Sequence, residues 1–314
     1  MAITRRGALG AAAVLAVSAL ALTGCGGSDS LNSNPGGDSK SSGGSDASSI
    51  VIGSANFPEN VILANVYGGA LEKAGVKVSY KLNIGARAAY IPALQNGEVN
   101  LIPEYAGSIL SFLDKSANAK SGDEVKSTLD SKLPKSLKAL ELSQAADSDS
   151  LNVTSSFASK NGLSSIADLK KLDSFTLAAN PEFKARPDGI PGLKSVYGLD
   201  NVKFKAIGDG GGPKTLDALV KDQVQVADIY STTPSISQNK LVTLKDPKNL
   251  FASQQIVPIV TASKATGKIA DTLNKVSSTL TTEDLLKLNE QVSGSSKTDP
   301  KVAAQNYLKS KSLG

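Results

Sequence analysis

The chain has no histidine and a single cysteine. Without histidine, a Ser-His-Asp triad, a Cys-His dyad and imidazole-ligated metal sites are all excluded. A lone cysteine allows no disulfide framework. No other metal-ligand cluster and no cofactor motif stands out, and none is expected. Aromatic residues make up 4% of the chain and the lysines are dispersed, so the basic tracts and stacking platforms of a nucleic-acid binder are missing. The one long apolar run, Ala8–Leu22, is shorter than the ~20 residues that a membrane-spanning helix needs. A Ser-Lys nucleophile or a pair of carboxylates stays open as enzymatic chemistry. The acids that could serve it, Glu59, Glu104, Asp149 and Glu182, show no pairing in their spacing.

What is present begins with an export signal. Arg5 and Arg6 precede the apolar run, which ends in Leu22-Thr23-Gly24-Cys25. A basic head, a short apolar core and small residues at the exit describe a signal peptide over 1–24. Cys25 sits as in a bacterial lipobox, where the thiol is lipidated and the amine becomes the new N-terminus. The competing reading is an ordinary signal peptide with an incidental cysteine. Thr4-Arg5-Arg6 suggests twin-arginine export, with the general secretory route as the alternative. The formal charge of +5 loses two positive charges with the signal. Residues 25–49 are the lipidated cysteine and a Gly/Ser-rich stretch that cannot bury a core. As a flexible tether this stretch would span on the order of 25–30 Å, holding a globular body just off a membrane.

Order is expected from Ile50, with a strand at Ile50–Gly53. Asn56-Phe57-Pro58-Glu59 reads as a helix start with Asn56 capping, and Gly75 as its stop. Strands are expected at Val76–Leu82 and Val99–Ile102, with a helix at Ala88–Gln95 between them. The rhythm returns with strands at Phe175–Ala179, Val202–Ala206 and Val224–Ala227 and a helix at Gly212–Lys221. Three closing helices are expected at Lys268–Ser278, Thr282–Val292 and Pro300–Lys309. Short strands separated by helices indicate an α/β fold with parallel pairing. A helix, a Gly or Asp, an alternating strand and a tyrosine recur at Glu98–Tyr105 and Asp222–Tyr230, which suggests two lobes with a cleft at their strand ends.

Several segments carry a specific resemblance. They are Ile52-Gly53-Ser54-Ala55-Asn56-Phe57 with Glu59, Ala93-Leu94-Gln95-Asn96-Gly97-Glu98, Pro103-Glu104-Tyr105-Ala106-Gly107-Ser108, Pro181 to Gly189, and Tyr230-Ser231-Thr232. In this order they resemble the glycine betaine/choline/osmoprotectant-binding proteins of ABC importers, from about Ile50 to Leu308. The resemblance implies a type II periplasmic-binding-protein fold, α/β, with each lobe a mixed sheet flanked by helices. Lobe 1 would be 50–152 plus 255–314 and lobe 2 would be 153–254. It also implies a monomeric, extracytoplasmic receptor that hands a small solute to ABC permease subunits and is held to the membrane by its lipid.

The implied ligand chemistry is that of a quaternary ammonium, which has no N–H to donate and is held by aromatic faces at about 0.5–2 kcal/mol each. A carboxylate on the ligand would need Arg or N–H donors. By resemblance, Tyr105 and Tyr230 belong to the aromatic cage and Ser108 supplies a hydroxyl near the carboxylate site. Arg186 binds that carboxylate, and Glu182 is a polar partner at the lobe interface. Asn56 joins the candidate ligand-binding set. Asp149 and Gln254 stand where two further cage tyrosines are expected, and Ala55 where a lysine is usual. Asp149 would either set a negative charge near a cation or, with Gln254, hydrogen-bond a ligand bearing N–H or O–H groups; Asp147 lies in the same stretch. Tyr67, Tyr80, Tyr90, Tyr197 and Tyr307 read as packing or surface residues, with Tyr90 a possible border of the cleft. Gly210-Gly211-Gly212-Pro213 reads as a tight loop or an anion nest. Besides the osmoprotectant receptor, the same fold allows a receptor for another small polar or amine solute. It also allows a non-transport envelope or sensory lipoprotein with a degenerate cleft. An enzyme is disfavoured by the residue types already missing.

Overall fold

A computed structural model describes residues Ser49–Leu313. The signal segment, Cys25 and almost all of the tether fall outside the described residues.

Ten strands form two five-stranded sheets. The first holds β1 (Ser49–Ala55), β2 (Lys77–Gly85), β3 (Leu101–Tyr105) and β4 (Leu137–Ala139), together with β10 (Ile256–Thr261), in the order β2-β1-β3-β10-β4. The second holds β5 (Leu151–Val153), β6 (Phe175–Ala179), β7 (Val202–Ala206), β8 (Val226–Asp228) and β9 (Val242–Thr243), in the order β7-β6-β8-β5-β9. In each sheet three strands run parallel, and a fourth joins them antiparallel with a short edge strand beyond it. Both are therefore mixed sheets, as the type II expectation required.

The inner parallel strands β1, β3, β6 and β8 are largely buried, whereas the edge strands β2 and β7 alternate polar and apolar residues and bury none fully. Ile50 and Ile52 of β1 are fully buried, and each contributes about 1.5–3 kcal/mol relative to exposure. The helix Pro58–Lys73 buries thirteen of its sixteen residues. It is sandwiched between this sheet and the closing helices Gly267–Thr279 and Pro300–Ser310. Leu273, Val276, Leu285, Leu288 and Leu308 thus share one core with Ile50 and Ile52, so the chain's end returns to the first lobe. The second lobe has its own core around Leu151, Phe175, Leu177, Phe183, Leu193 and Val226.

Two chain segments cross between the lobes and pair with each other. Ser143 N donates to Ile256 O at 2.8 Å, Ile256 N to Ala145 O at 2.9 Å and Asp147 N to Gln254 O at 3.2 Å. Since β5 pairs only within the second sheet, Leu151 and Asn152 belong with lobe 2. The first crossing therefore precedes Leu151, slightly before the boundary expected at 153.

Two local expectations shift. Phe57, not Asn56, occupies the cap position of the helix at Pro58, and no side chain caps it. Pro58 takes the first helical position, and Asn56, one residue before the cap, is exposed. The third strand runs on to Tyr105 instead of ending at Ile102. Pro103 is accommodated there because it lies opposite Pro258 of β10, and β1 pairs with β3 only at Ile52 and Leu101.

Candidate functional site

The site begins where β1 and β3 part. Beyond Leu101 the side chain of Asn60 fills the gap between them. Its Oδ1 accepts from Ala55 N at 2.7 Å and its Nδ2 donates to Pro103 O at 2.8 Å. That splay opens the C-terminal ends of both strands, the usual ligand position in open α/β sheets. It sets Ala55, Asn56 and Phe57 opposite Tyr105 and Ser108. Gly107 follows for a packing reason: a Cβ there would lie 2.8 Å from Ser253 O on the second crossing segment. Gln254 on that segment accepts from Ser108 N through Oε1 at 3.0 Å, fixing the turn from β3 into its helix.

The second lobe repeats the device. Asn180 directly follows β6, donates from Nδ2 to Tyr230 Oη at 2.8 Å, and accepts from Gly210 N at 3.0 Å. Gly211, at φ +71°, packs so closely that a Cβ would sit 2.8 Å from Ile229 Cα. Of the two readings of the glycine run, the tight loop fits. The N–H groups of Gly212, Lys214 and Thr215 all donate to Asp209, so they already have an anion supplied by the chain itself.

Between the lobes lies a cavity of about 260 Å³. Four rings line it, those of Phe57, Tyr90, Tyr105 and Tyr230. Phe57 sits between two of the tyrosines, with centroids 5.9 Å from Tyr105 and 5.5 Å from Tyr230. Two guanidiniums line it as well, one from each lobe. Arg87 donates from Nε at 3.0 Å and from Nη2 at 2.9 Å to Glu104. Arg186 donates from Nη2 to Asp149 at 2.6 Å and from Nε to Asp188 at 2.9 Å. A larger cavity of about 380 Å³ lies on the other side of Phe57 and Tyr230, but neither guanidinium reaches it. The smaller cavity is the one equipped for a charged solute.

Behind the rings sits a buried knot of carboxyls. Glu59 accepts from Tyr105 Oη at 2.8 Å, from Asn289 Nδ2 at 2.6 Å and from Thr232 Oγ1. It thereby ties both ends of lobe 1 to lobe 2. Asp147, on the first crossing, accepts from Ser231 Oγ at 2.9 Å and Thr232 N at 3.0 Å. Glu59 and Asp147 hydrogen-bond each other, which requires a proton between them. Burial raises the pKa of both carboxyls, and the charge of Glu59 pushes Asp147 further. Asp149 and Asp228 form a second such contact. Burial and the charge of Asp149 push Asp228 well up. Burial alone would raise Asp149 too, but the Arg186 guanidinium outweighs it and holds Asp149 below its ordinary value. Burial likewise raises the hydroxyls of Tyr105 and Tyr230, so both stay protonated.

Of the residues marked in the sequence, Asn56, Tyr105, Ser108, Asp149, Glu182, Arg186 and Tyr230 all line this cavity. Gln254 does not; it is buried behind Ser108, with no partner for its Nε2 among the described residues. Asp149 is not an isolated charge, because Arg186 pairs with its Oδ2. Tyr90 lines the cavity and donates to Glu104 at 2.6 Å. Tyr67 and Tyr197 are buried in the two lobe cores. Sequence reasoning assigned no binding role to Phe57, Arg87 or Asn180. Phe57 was visible only within the helix start and the resembling segment Ile52–Phe57, and Arg87 carried no signal beyond its nearness to Tyr90. Asn180 had a faint signal, since Asn56 and Asn180 each follow the first parallel strand of their lobe.

Two lobes, each opening its strand ends onto a shared cavity of aromatic faces and fixed charges, define a solute-binding protein of the type II periplasmic class. Residues 48–310 match the substrate binding domain of ABC-type glycine betaine transport systems, and the chain belongs to that family. It is 30% identical to the glycine betaine-binding protein YehZ of Escherichia coli, over 84% of this chain and 91% of that protein. It is 26% identical to the carnitine transport binding protein OpuCC of Listeria monocytogenes, over 85% and 88% of the two chains. The crystal structure of a glycine betaine/carnitine/choline ABC transporter superposes with a TM-score of 0.68 at 25% identity, covering 84% of this chain and 99% of that one. These relatives are substrate-binding transport proteins.

Proposed function

We propose that this protein captures a small quaternary-ammonium osmoprotectant in its interlobe cavity and delivers it to an ABC permease. The observation that carries this is the set of three rings, Phe57, Tyr105 and Tyr230, drawn from both lobes around one cavity. A trimethylammonium has a diffuse charge and no hydrogen-bond donor, so aromatic faces are its natural partners. The ligands named for the relatives, glycine betaine and carnitine, share that group. Because the rings come from both lobes, the ligand is held only when the lobes are together, which couples binding to closure.

The sequence features outside the described residues complete the reading. Cys25 is the lipid attachment site and holds the receptor to the outer face of the cell membrane. A diacyl group supplies the anchoring that one acyl chain cannot.

Titration calorimetry of the purified protein against glycine betaine, carnitine and choline tests the ligand class. Saturable binding of at least one is expected, and silence across all three removes the assignment. In cells, Cys25→Ser should move the protein from the membrane fraction to the soluble one. Unchanged fractionation would remove the anchor.

A further inference from the structure

We propose that Arg87 is a second carboxylate-binding residue, facing Arg186 across the cleft. The cavity then selects solutes that carry a carboxylate as well as a quaternary ammonium. This inference rests on the quaternary-ammonium reading above and narrows it.

Each lobe brings one arginine to the cavity, paired with an acid. The side chain of Arg87 is 21% exposed and that of Glu104 1%; for Arg186 and Asp149 the figures are 19% and 5%. On the lobe 1 side the guanidinium faces the ligand and Glu104 lies behind it, whereas on the lobe 2 side Asp149 lines the cavity beside Arg186, which holds its Oδ2.

Glu104 is held from three directions, by Arg87, by Tyr90 Oη at 2.6 Å and by Tyr105 N at 3.0 Å. Its oxygens are saturated, so it is a positioning residue and offers nothing to a cation. Arg87 opens the helix Arg87–Gln95, and its register follows from Gly85, which pairs with Ala55 of β1. Backbone and head group are therefore both fixed before any ligand arrives. Glu104 engages only the Nε and Nη2 side of the guanidinium. Among the described residues no group accepts from Nη1, although a guanidinium carries five N–H donors.

The two arginines lie close enough for each to feel the other's charge. Closing the lobes on an empty cavity brings like charges together, and a carboxylate between them removes that repulsion while accepting from both. A solute with an ammonium but no carboxylate would occupy the rings and leave the unused N–H edges of the two paired guanidiniums without an acceptor, which is costly. The site therefore discriminates against choline on electrostatic grounds, by leaving a buried donor unmatched.

The test is calorimetry on the full chain with glycine betaine and choline, reading the ratio of their affinities. The wild type is expected to prefer glycine betaine. Arg87→Gln should lower glycine betaine affinity about 10- to 100-fold, the loss of a charge-assisted hydrogen bond. It should raise choline affinity a few-fold, because a positive charge beside the ammonium is gone. Arg87→Lys, which keeps the charge and loses the fork, should fall between. If Arg87→Gln fails to fold, Glu104→Gln answers the same question from the other side. It leaves Arg87 uncompensated and should weaken choline while sparing glycine betaine. An unchanged ratio in these variants overturns the role of Arg87 and leaves the quaternary-ammonium reading standing. Wild-type protein that binds neither solute overturns both.

Discussion

The two lobes solve one problem with the same strand order and different electrostatics. In lobe 1 the third parallel strand delivers Tyr105, and the preceding residue, Glu104, neutralises a single arginine. In lobe 2 the third parallel strand, β8, ends at Asp228 two residues before Tyr230, and Arg186 is met by Asp149 and Asp188, with Asp228 beneath. One side is a balanced pair. The other is acid-rich and needs a shared proton to stay buried, since two neighbouring carboxyls in a dry site do not both ionise. The acid-rich wall thus offers a better electrostatic setting for an ammonium. The balanced wall keeps a guanidinium edge free for an anion.

The largest break in this comparison is Arg186→Ala. It strands two buried carboxylates, and the loss of such a partner costs about 3–5 kcal/mol. A large drop in melting temperature with loss of glycine betaine binding is expected, and Arg87→Ala, which strands one acid, should be milder in the melt. Equal melts would mean that the acid-rich wall is not electrostatically distinct.

A smaller effect is expected at the ring that spans the lobes. Phe57→Ala removes one aromatic face, worth about 0.5–2 kcal/mol, so affinity for any quaternary ammonium should fall roughly 2- to 30-fold. Carboxylate-bearing and carboxylate-free ligands should lose alike, in contrast to Arg87→Gln. A loss confined to one of them would break the division of labour between rings and guanidiniums.

The smallest effect is on pH dependence. Glu59 and Asp147 share a proton in the folded protein that the unfolded chain releases above the ordinary carboxylate range, and Asp228 adds to this in the same sense. The folded state then binds more protons than the unfolded state, so stability falls as pH rises from about 4 toward the raised pKa values. Asp149, held below its ordinary value, acts oppositely, but only on the acid side of about pH 4. The melting temperature should therefore decline as pH rises above the ordinary carboxylate range, at about 2–4 °C per kcal/mol for a body of this size. Asp147→Asn should flatten part of that decline. If the Asp147→Asn variant keeps the wild-type slope, the knot between the lobes does not hold the proton.

Much of this was legible in the residues because it depends on local pattern. β6 and β7 fall where the apolar pattern placed them, and the helix expected at Thr282–Val292 runs over Thr282–Ser293. The repeat ending in Tyr105 and Tyr230 is short-range in sequence and became the matching walls of the cavity. Gln254 was misplaced and the pairing of Asp149 missed for one reason: their partners lie far away in sequence. Asp149 meets Arg186 from 37 residues away, and Gln254 meets Ser108 from 146. Of the four acids with no pairing in their spacing, two meet a different acid in space, Glu59 with Asp147 and Asp149 with Asp228, because Asp147 and Asp149 lie on the first crossing segment.

The sequence by itself determined the class of the protein. Missing histidine removed most catalytic chemistry, strand and helix periodicity set the α/β lobes, and the blocks around Tyr105 and Arg186 marked the family. Only the tertiary structure decided what the cavity presents. Whether an arginine faces the ligand or its own carboxylate, and whether an aspartate is a free charge or a neutralised one, depends on distances of a few ångströms between distant residues. Coulomb energies at such distances in a dry site change by kilocalories per ångström, and no pattern along the chain records them.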